Sequence, residues 1–356
     1  MTDSRPTTPM RLRPATAEEL RDWDDLVLQN PDGGQFTQTL AFAELKRWDG
    51  FTTHHLVLDA EQPVYALALE RNGWIGRFWY FPCAPWHPDM RAVVDAIRTY
   101  VRREHPRLIS VKLEPRLPRD AASMALLADA GLTQAEDVQL HTHTVVIDLE
   151  RTEEEILASF SKTARKLIRR AERDGFTIER VEGDEALFDL AWQRMQTIRG
   201  GRGLAGMRDE AYYKTIWRAF TKRGQADWWL GHDGGDGPQT VTFTIPFGRT
   251  VIDKDEGSRP ERLIEGGAHL GRWTRAKHYR ERGFTGMDMM GAPPTWAKDD
   301  PDHWMAGLAR FKQQFGEIVD FAPSHDLLLR PTAQRVWRKA VRPIEWRVKQ
   351  RYTGLW

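Results

Sequence analysis

The sequence predicts an α+β chain built as two copies of one supersecondary unit, each a mixed sheet flanked by helices. Three observations predict it. At 356 residues the chain exceeds what one small core buries and suits two domains. Each half carries a strand-rich block, "HHLVLDAEQPVYALALERNGWIGRFWYFP" and "QADWWLGHDGGDGPQTVTFTIPFGRTVIDK", whose β-branched and aromatic alternation between Gly, Asn and Asp turns is that of an antiparallel meander. Each block is followed by a helical pattern with polar and basic faces and then by a short apolar strand.

In the first half the helix falls near "RAVVDAIRTYVRREHP" and leads to the strand "LISVKLEP". In the second, "RLIEGGAHLGRWTRAKHYRERG" leads to "FTGMDMMGAPP". Between the halves, "HTHTVVIDLERTEEEI" starts the second copy: a strand ending near Asp148, then a helix from Thr152, where "TEEE" forms a capping box with acids at the positive helix end.

Composition bounds the rest. With 40 % hydrophobic and 29 % charged residues the chain reads as a globular protein of water, and no stretch approaches the roughly 20 apolar residues of a spanning helix. The start, "MTDSRPTTPMRLRP", is polar and Pro-rich, a short disordered lead over 1–10 rather than a signal peptide, so a cytoplasmic location is expected. The single Cys83 excludes an internal disulfide and reads as a packed small residue. His141 and His143 share one strand face without a third ligand at metal spacing, and no metal or cofactor is expected. Net charge is only +1, yet from Arg330 onward eight Lys/Arg face one acid, Glu345, so the basic charge is segregated.

The densest basic run is "SFSKTARKLIRRAERDG". On a helix, Lys162, Arg165, Lys166, Arg169, Arg170 and Arg173 fall within an arc of roughly 140°, opposite Phe160, Ala164, Leu167, Ile168 and Ala171. Like charges at i, i+4 repel, so a nearly pure cationic face implies either an external anion such as RNA or a solvated face that tolerates the strain. The C-terminal "QRVWRKAVRPIEWRVKQRYTGLW" sets Trp337, Val341, Ile344, Val348 and Tyr352 at intervals of four, three, four and four among basic residues. It suits either a membrane-surface segment or a terminal helix packed on the first domain, with a kink at Pro343.

These residues resemble a known family. "SFSKTARKLIRRAERDGFTIERV" is similar to the helix that opens the second domain of the FemABX aminoacyltransferases. "GGQFTQTLAFAELKRWDGF" resembles the family's N-terminal segment, with Phe42 and Phe51 where tryptophans are usual and Lys46 kept. "VKLEPRL", "RGLAGMRDEAYY", "GMDMMGAPP" and "GLARFKQQFGEIVDF" match further segments in the right order.

The resemblance implies two tandem acetyltransferase-like (GNAT-like) domains without the family's coiled-coil insertion. Their expected bounds are 11–149, completed by the C-terminal segment 318–356, and 150–317. It implies transfer of an amino acid from aminoacyl-tRNA to the stem-peptide amine of a peptidoglycan precursor, lipid II or the UDP-linked muropeptide. Lys46, Arg208 and Tyr212 would grip the acceptor diphosphate, and Tyr212 would share a helix face with Arg208 one turn before it. Lys312 would steady the oxyanion, Phe311 would orient the terminal adenosine, and Glu114 would orient or deprotonate the attacking amine. Asp288, in the family's D-x-x-G turn, would contact the substrate. Lys254 stands in "KDEGS" where the family has a tyrosine, so Lys254, Asp255 and Glu256 would alter the acceptor pocket. The alternatives are an acyl-CoA-dependent N-acyltransferase, for which "RLIEGGAHLG" is a loose pyrophosphate turn, and a non-catalytic module for anionic lipid or RNA.

Overall fold

The structure, a computed structural model, describes residues 10–138, 142–202 and 208–344, with the side chains of 198–202 excepted. It divides into two compact units, Met1–Gln139 with Phe321–Trp356, and Leu140–Asp320.

In the first unit the alternating apolar run of residues 52–81 folds as the meander it predicts. Strand β1 (Arg11–Pro14) leads through helices α1 (Ala17–Arg21), α2 (Trp23–Val27) and α3 (Leu40–Trp48) to β2 (Thr52–Asp59), β3 (Val64–Gly73) and β4 (Gly76–Phe81). These strands pair antiparallel in sequence order. The β3–β4 turn is tight, with Gly73 opposite Gly76. Helix α4 (Met90–Glu104), capped by the Asp89 carboxylate on the Ala92 N–H at 2.9 Å, then crosses over to β5 (Leu108–Leu113), which runs parallel to β4. Helix α5 (Ala121–Asp129) and the short β6 (Thr133–Gln134) follow. The inner face of α4 and the strands bury Trp79, Phe81, Val93, Ile97 and Val111 in one core.

The second unit repeats the plan. Strand β7 (His143–Asp148) precedes α6 (Glu153–Ser159), whose Thr152 and Glu155 form the expected capping box, and α7 (Lys162–Arg173), capped by Ser161. Next come β8 (Thr177–Val181), α8 (Glu185–Arg202) and α9 (Glu210–Thr221). The meander β9 (Asp227–His232), β10 (Thr240–Phe247) and β11 (Thr250–Ser258) extends β8, and α10 (Gly267–Glu281) crosses over to the parallel β12 (Gly286–Asp288). Helix α11 (Ala306–Lys312) and β13 (Ile318–Asp320) complete it. The chain then returns to the first unit as β14 (His325–Leu328) and α12 (Pro331–Val336).

The sheet orders are β1-β2-β3-β4-β5-β14-β6 and β13-β7-β12-β11-β10-β9-β8. In each, a meander of four strands, a parallel pair across a helix and two further antiparallel strands recur. The sixth place of the first sheet is filled by β14, which follows the second unit's last strand. The corresponding place of the second sheet is filled by β7, the next strand in the chain after β6. A break at Phe160 and Ser161 separates α6 from α7, where a single helix face was drawn through Phe160; Phe160, Ala164, Ile168 and Ala171 are all buried as that stripe requires, and Leu167 is partly buried.

The C-terminal stretch differs from its expected periodicity. Ahead of Pro343 the helix widens into a π-turn over Trp337–Val341, which accommodates a residue that cannot donate to the helix ladder. Trp337 is buried against Phe78, at 4.3 Å between ring centres, and Val341 packs beside it, whereas Ile344 is exposed. Val348 and Tyr352 lie outside the described residues, as does His141.

Candidate functional site

In the first unit Lys46 is buried rather than lying on a wet helix surface. Its ammonium sits 5.4 Å from the ring centres of both Phe42 and Phe51 and 3.8 Å from Asp49. The two phenylalanines that stand where tryptophans were expected are therefore the rings that bracket Lys46, and their negative faces favour the cation. Glu114, just past the end of β5, is also buried. One carboxylate oxygen accepts from the Tyr80 hydroxyl and the other from Ser324 Oγ at 3.0 Å. Neither partner is visible from "KLEP", because Tyr80 arrives on the neighbouring strand and Ser324 lies 210 residues along the chain. Cys83 is buried, and burial pushes its thiol up to about 12, which suits packing and not nucleophilic work.

In the second unit the candidate residues form two groups that meet at β11. The first is Arg208, Tyr212 and Lys254. Arg208 lies before the Asp209 cap of α9, not within the helix, yet its guanidinium stacks 4.2 Å over the Tyr212 ring. Tyr212 packs edge-on against Tyr213, and the Lys254 ammonium lies 6.0 Å from Tyr213. Lys254 is the extra residue of a β-bulge, since Phe243 pairs with Asp255 and Thr244 with Asp253. Burial pushes its ammonium down, but Asp255 and the two tyrosines more than offset this and hold it above the ordinary lysine value.

The charges of "KDEGS" do not face an open pocket as unpaired groups. Lys254 pairs with Asp255 at 3.1 Å, and Asp255 also accepts the Trp217 indole at 3.0 Å. Glu256 binds Arg272 at 2.7 Å and Arg275 at 3.2 Å. Each of the three charges is thus paired inside the unit.

The second group surrounds Lys312, at the end of α11 and only 4 % exposed. Its Nζ donates to the carbonyl oxygens of Met290 and Gly291, the latter at 2.7 Å. Asp288 is fully buried and shapes that turn: its carboxylate accepts from Thr144 Oγ1 at 2.6 Å and from the Met290 N–H at 2.7 Å, with Met290 held at φ 48°. Asp288 therefore helps to build the seat of Lys312. Burial, then the nearby Arg272 cation, lowers the Lys312 ammonium to about 7, against the pull of Asp288, Asp253 and Glu256. Arg272 lies 4.9 Å over Phe311 and with Arg275 encloses the buried Asp253 at 3.2 Å from each. This buried cluster was not legible, because "GRWTRAK" reads as a helix with a wet basic face. Arginines opposite acids on the adjacent strand were the only available signal.

On α7 two of the six cations are balanced by carboxylates and a third is tied to a carbonyl oxygen. Arg170 pairs with Glu265 and Asp174, Arg173 with Asp174, and Arg165 donates to the Ala158 carbonyl at 2.6 Å. Lys162, Lys166 and Arg169 are exposed without a carboxylate partner among the described residues. Their spacing of four and three keeps them on one stripe.

The repeated sheet plan in both units defines the class: a tandem GNAT-like chain of two mixed sheets flanked by helices. Residues 129–226, which include α7, Arg208 and Tyr212, match the FemAB family. Over nearly its whole length the chain shares its fold with FemX. The FemX crystal structure is 17 % identical, with a TM-score of 0.77 over 93 % of this chain and 99 % of that one. L-PGS from Bacillus licheniformis is 13 % identical, with a TM-score of 0.55 over 96 % of this chain and 98 % of that one. The C-terminal domain of a putative lysylphosphatidylglycerol synthetase from Agrobacterium fabrum is 16 % identical, with a TM-score of 0.53 over 91 % and 98 %. No curated protein matches the chain in sequence. Among the described residues no helix is long and apolar enough to cross a membrane.

Proposed function

We propose that the chain is an aminoacyltransferase that takes an amino acid from aminoacyl-tRNA and adds it to the stem-peptide amine of a peptidoglycan precursor, as lipid II or UDP-MurNAc-pentapeptide, in building the interpeptide bridge. It works in the cytoplasm, at the inner face of the membrane. The observation that carries this reading lies within the FemAB-matching residues. There an exposed stripe, Lys162, Lys166 and Arg169, accompanies the stacked Arg208–Tyr212 pair, and cations of this kind suit a polyanionic donor and a diphosphate acceptor.

The chemistry needs no protein nucleophile. The acceptor amine attacks the ester carbonyl, a C–N bond forms, the C–O bond to the terminal ribose breaks, and the amine proton leaves with the ribose hydroxyl. Lys312 spends two N–H groups on carbonyl oxygens, and as an ammonium it keeps a third for the developing oxyanion. Phe311 lies beside Arg272 and is assigned to the terminal adenosine. By the resemblance alone, Lys46 and Arg208 are each assigned to an acceptor phosphate, and Glu114 to the attacking amine. Lys254 and Asp288 act through Tyr213 and through the Lys312 seat.

An acyl-CoA donor is the weaker reading. A Cβ on Gly266 would fall 2.4 Å from the Leu167 carbonyl, and one on Gly267 2.4 Å from Phe176, so these glycines allow close packing of α10 and leave no cradle for a pyrophosphate. The test incubates purified protein with charged tRNA and, separately, with UDP-muropeptide, lipid II or phosphatidylglycerol vesicles, the last because L-PGS and the lysylphosphatidylglycerol synthetase domain share this fold. Mass spectrometry of the muropeptide should show the mass of one added residue. Transfer from acetyl-CoA and none from tRNA would overturn the reading.

A further inference from the structure

The β3–β4 hairpin closes through Trp74 and Ile75, between paired Gly73 and Gly76. Such two-residue turns ordinarily carry Gly, Asn or Asp, which meet the backbone demands and keep the tip wet. Here the tip is apolar and exposed, Trp74 at 52 % and Ile75 at 43 %. Folding gains nothing from that exposure.

The tip is not isolated. Ile75 lines a hollow of about 540 Å³ with Pro331, Ala333 and Val336 at the start of α12. Helix α12 and its continuation present two apolar rows. Ala333, Trp337 and Val341 pack inward on Phe78 and Ile109, while Val336, Ala340 and Ile344 are exposed, Val336 at 49 % and Ile344 at 54 %. Between Arg330 and Ile344 the sequence holds five cations and no acid. Arg342 is matched by Glu136 at 2.9 Å, but Arg335, Arg338 and Lys339 are exposed with no carboxylate partner among the described residues. On the hairpin, Arg77 is already matched by Glu70 at 3.2 Å.

We propose that the Trp74–Ile75 hairpin tip and the outward row of Val336, Ala340 and Ile344 form one docking surface for an anionic lipid bilayer. A tryptophan at a tip beside aliphatic side chains, rimmed by cations, matches the two layers of a membrane surface: acyl boundary below, anionic headgroups above. RNA would match the cations and stack on Trp74 but would leave Ile75, Val336 and Ile344 facing phosphate and water. This surface belongs to the first unit alone and stands whether or not the transferase reading holds.

Co-sedimentation of the full chain with vesicles tests it, using phosphatidylcholine alone or mixed with phosphatidylglycerol. The protein should bind the mixed vesicles and scarcely the neutral ones. Trp74→Ser/Ile75→Ser should weaken binding to mixed vesicles about tenfold, and Val336→Ser in the same direction. Arg335→Glu/Lys339→Glu should erase the preference for phosphatidylglycerol. Leu263→Ser, which removes a 68 % exposed leucine of the second unit, should change nothing. Equal binding by the hairpin variant and the original protein overturns the proposal, as does an equal loss in Leu263→Ser. So does a lowered melting temperature in the hairpin variant, which would mean that protein already covers the patch. Loss of tRNA binding with vesicle binding intact would make it an RNA surface instead.

Discussion

The Lys312 ammonium nitrogen lies 2.7 Å from the carbonyl oxygen of Gly291, in the turn that Asp288 shapes. Buried beside Arg272, this lysine holds its proton only to about pH 7. Below about 7 the folded and unfolded chains both carry the proton and the full burial penalty is present. Between about 7 and the ordinary 10.5 the unfolded chain binds more protons, so this group's contribution to stability rises with pH. Denaturant midpoints of the native chain relative to Lys312→Met should therefore increase from about pH 7 upward. If the third N–H serves the oxyanion, the single-turnover rate relative to Lys312→Arg, which stays charged, should fall above about pH 7. A ratio that climbs with pH overturns the cationic role.

Lys46 is held between two rings, 3.8 Å from the Asp49 carboxylate, and the proposed function assigns its charge to an acceptor phosphate. Lys46→Met should raise the Kd for the UDP-linked acceptor about tenfold, the worth of one charge-assisted hydrogen bond of ~1.4 kcal/mol. Calorimetric titration measures it. Thermal stability should hold or increase, because an ammonium leaves an apolar site.

Arg272 and Arg275 neutralise Asp253 and Glu256 inside the second unit. Asp253 Oδ1 already lacks a hydrogen-bond partner among the described residues. Arg275→Met should destabilise the unit by ~3–5 kcal/mol by stranding that carboxylate, and Asp253→Asn in the same chain should restore part of the loss. Chemical denaturation of the two single variants and the double variant gives the coupling. Additive effects would mean that the ion pair contributes nothing.

The α7 stripe predicts a division among its own cations. Lys162→Glu/Lys166→Glu/Arg169→Glu should weaken charged-tRNA binding and flatten its dependence on log salt by roughly three contacts' worth. Arg170→Ala/Arg173→Ala should change little, since Asp174 and Glu265 already answer those charges. Filter binding across a salt series separates the two outcomes.

Much of this was legible in advance, for a local reason. The apolar and β-branched runs at 64–69 and 240–247 mark strands, which are buried on both faces, and the Thr152–Glu155 box marks a helix start within four residues. The inward row Ala164, Ile168 and Ala171 likewise follows from spacing alone. Such signals concern neighbours in the chain, and propensity and periodicity carry them.

Pairing at long range was not legible. Nothing near His325 announces that β14 will insert between β5 and β6, or that β12 and β13 will flank β7, because any apolar strand of suitable length satisfies the same pattern. The same limit hid the fate of charges. Lys46, Arg272 and Arg275 read as wet cations by residue type, yet Phe42 and Phe51 receive the first, and Asp253 and Glu256 the others. By itself the sequence determined the doubled sheet-and-helix units and the cationic stripe of α7. Only the tertiary structure decided which ammonium and guanidinium groups were taken out of water, since desolvation and its compensation depend on partners that folding alone brings within a few ångströms.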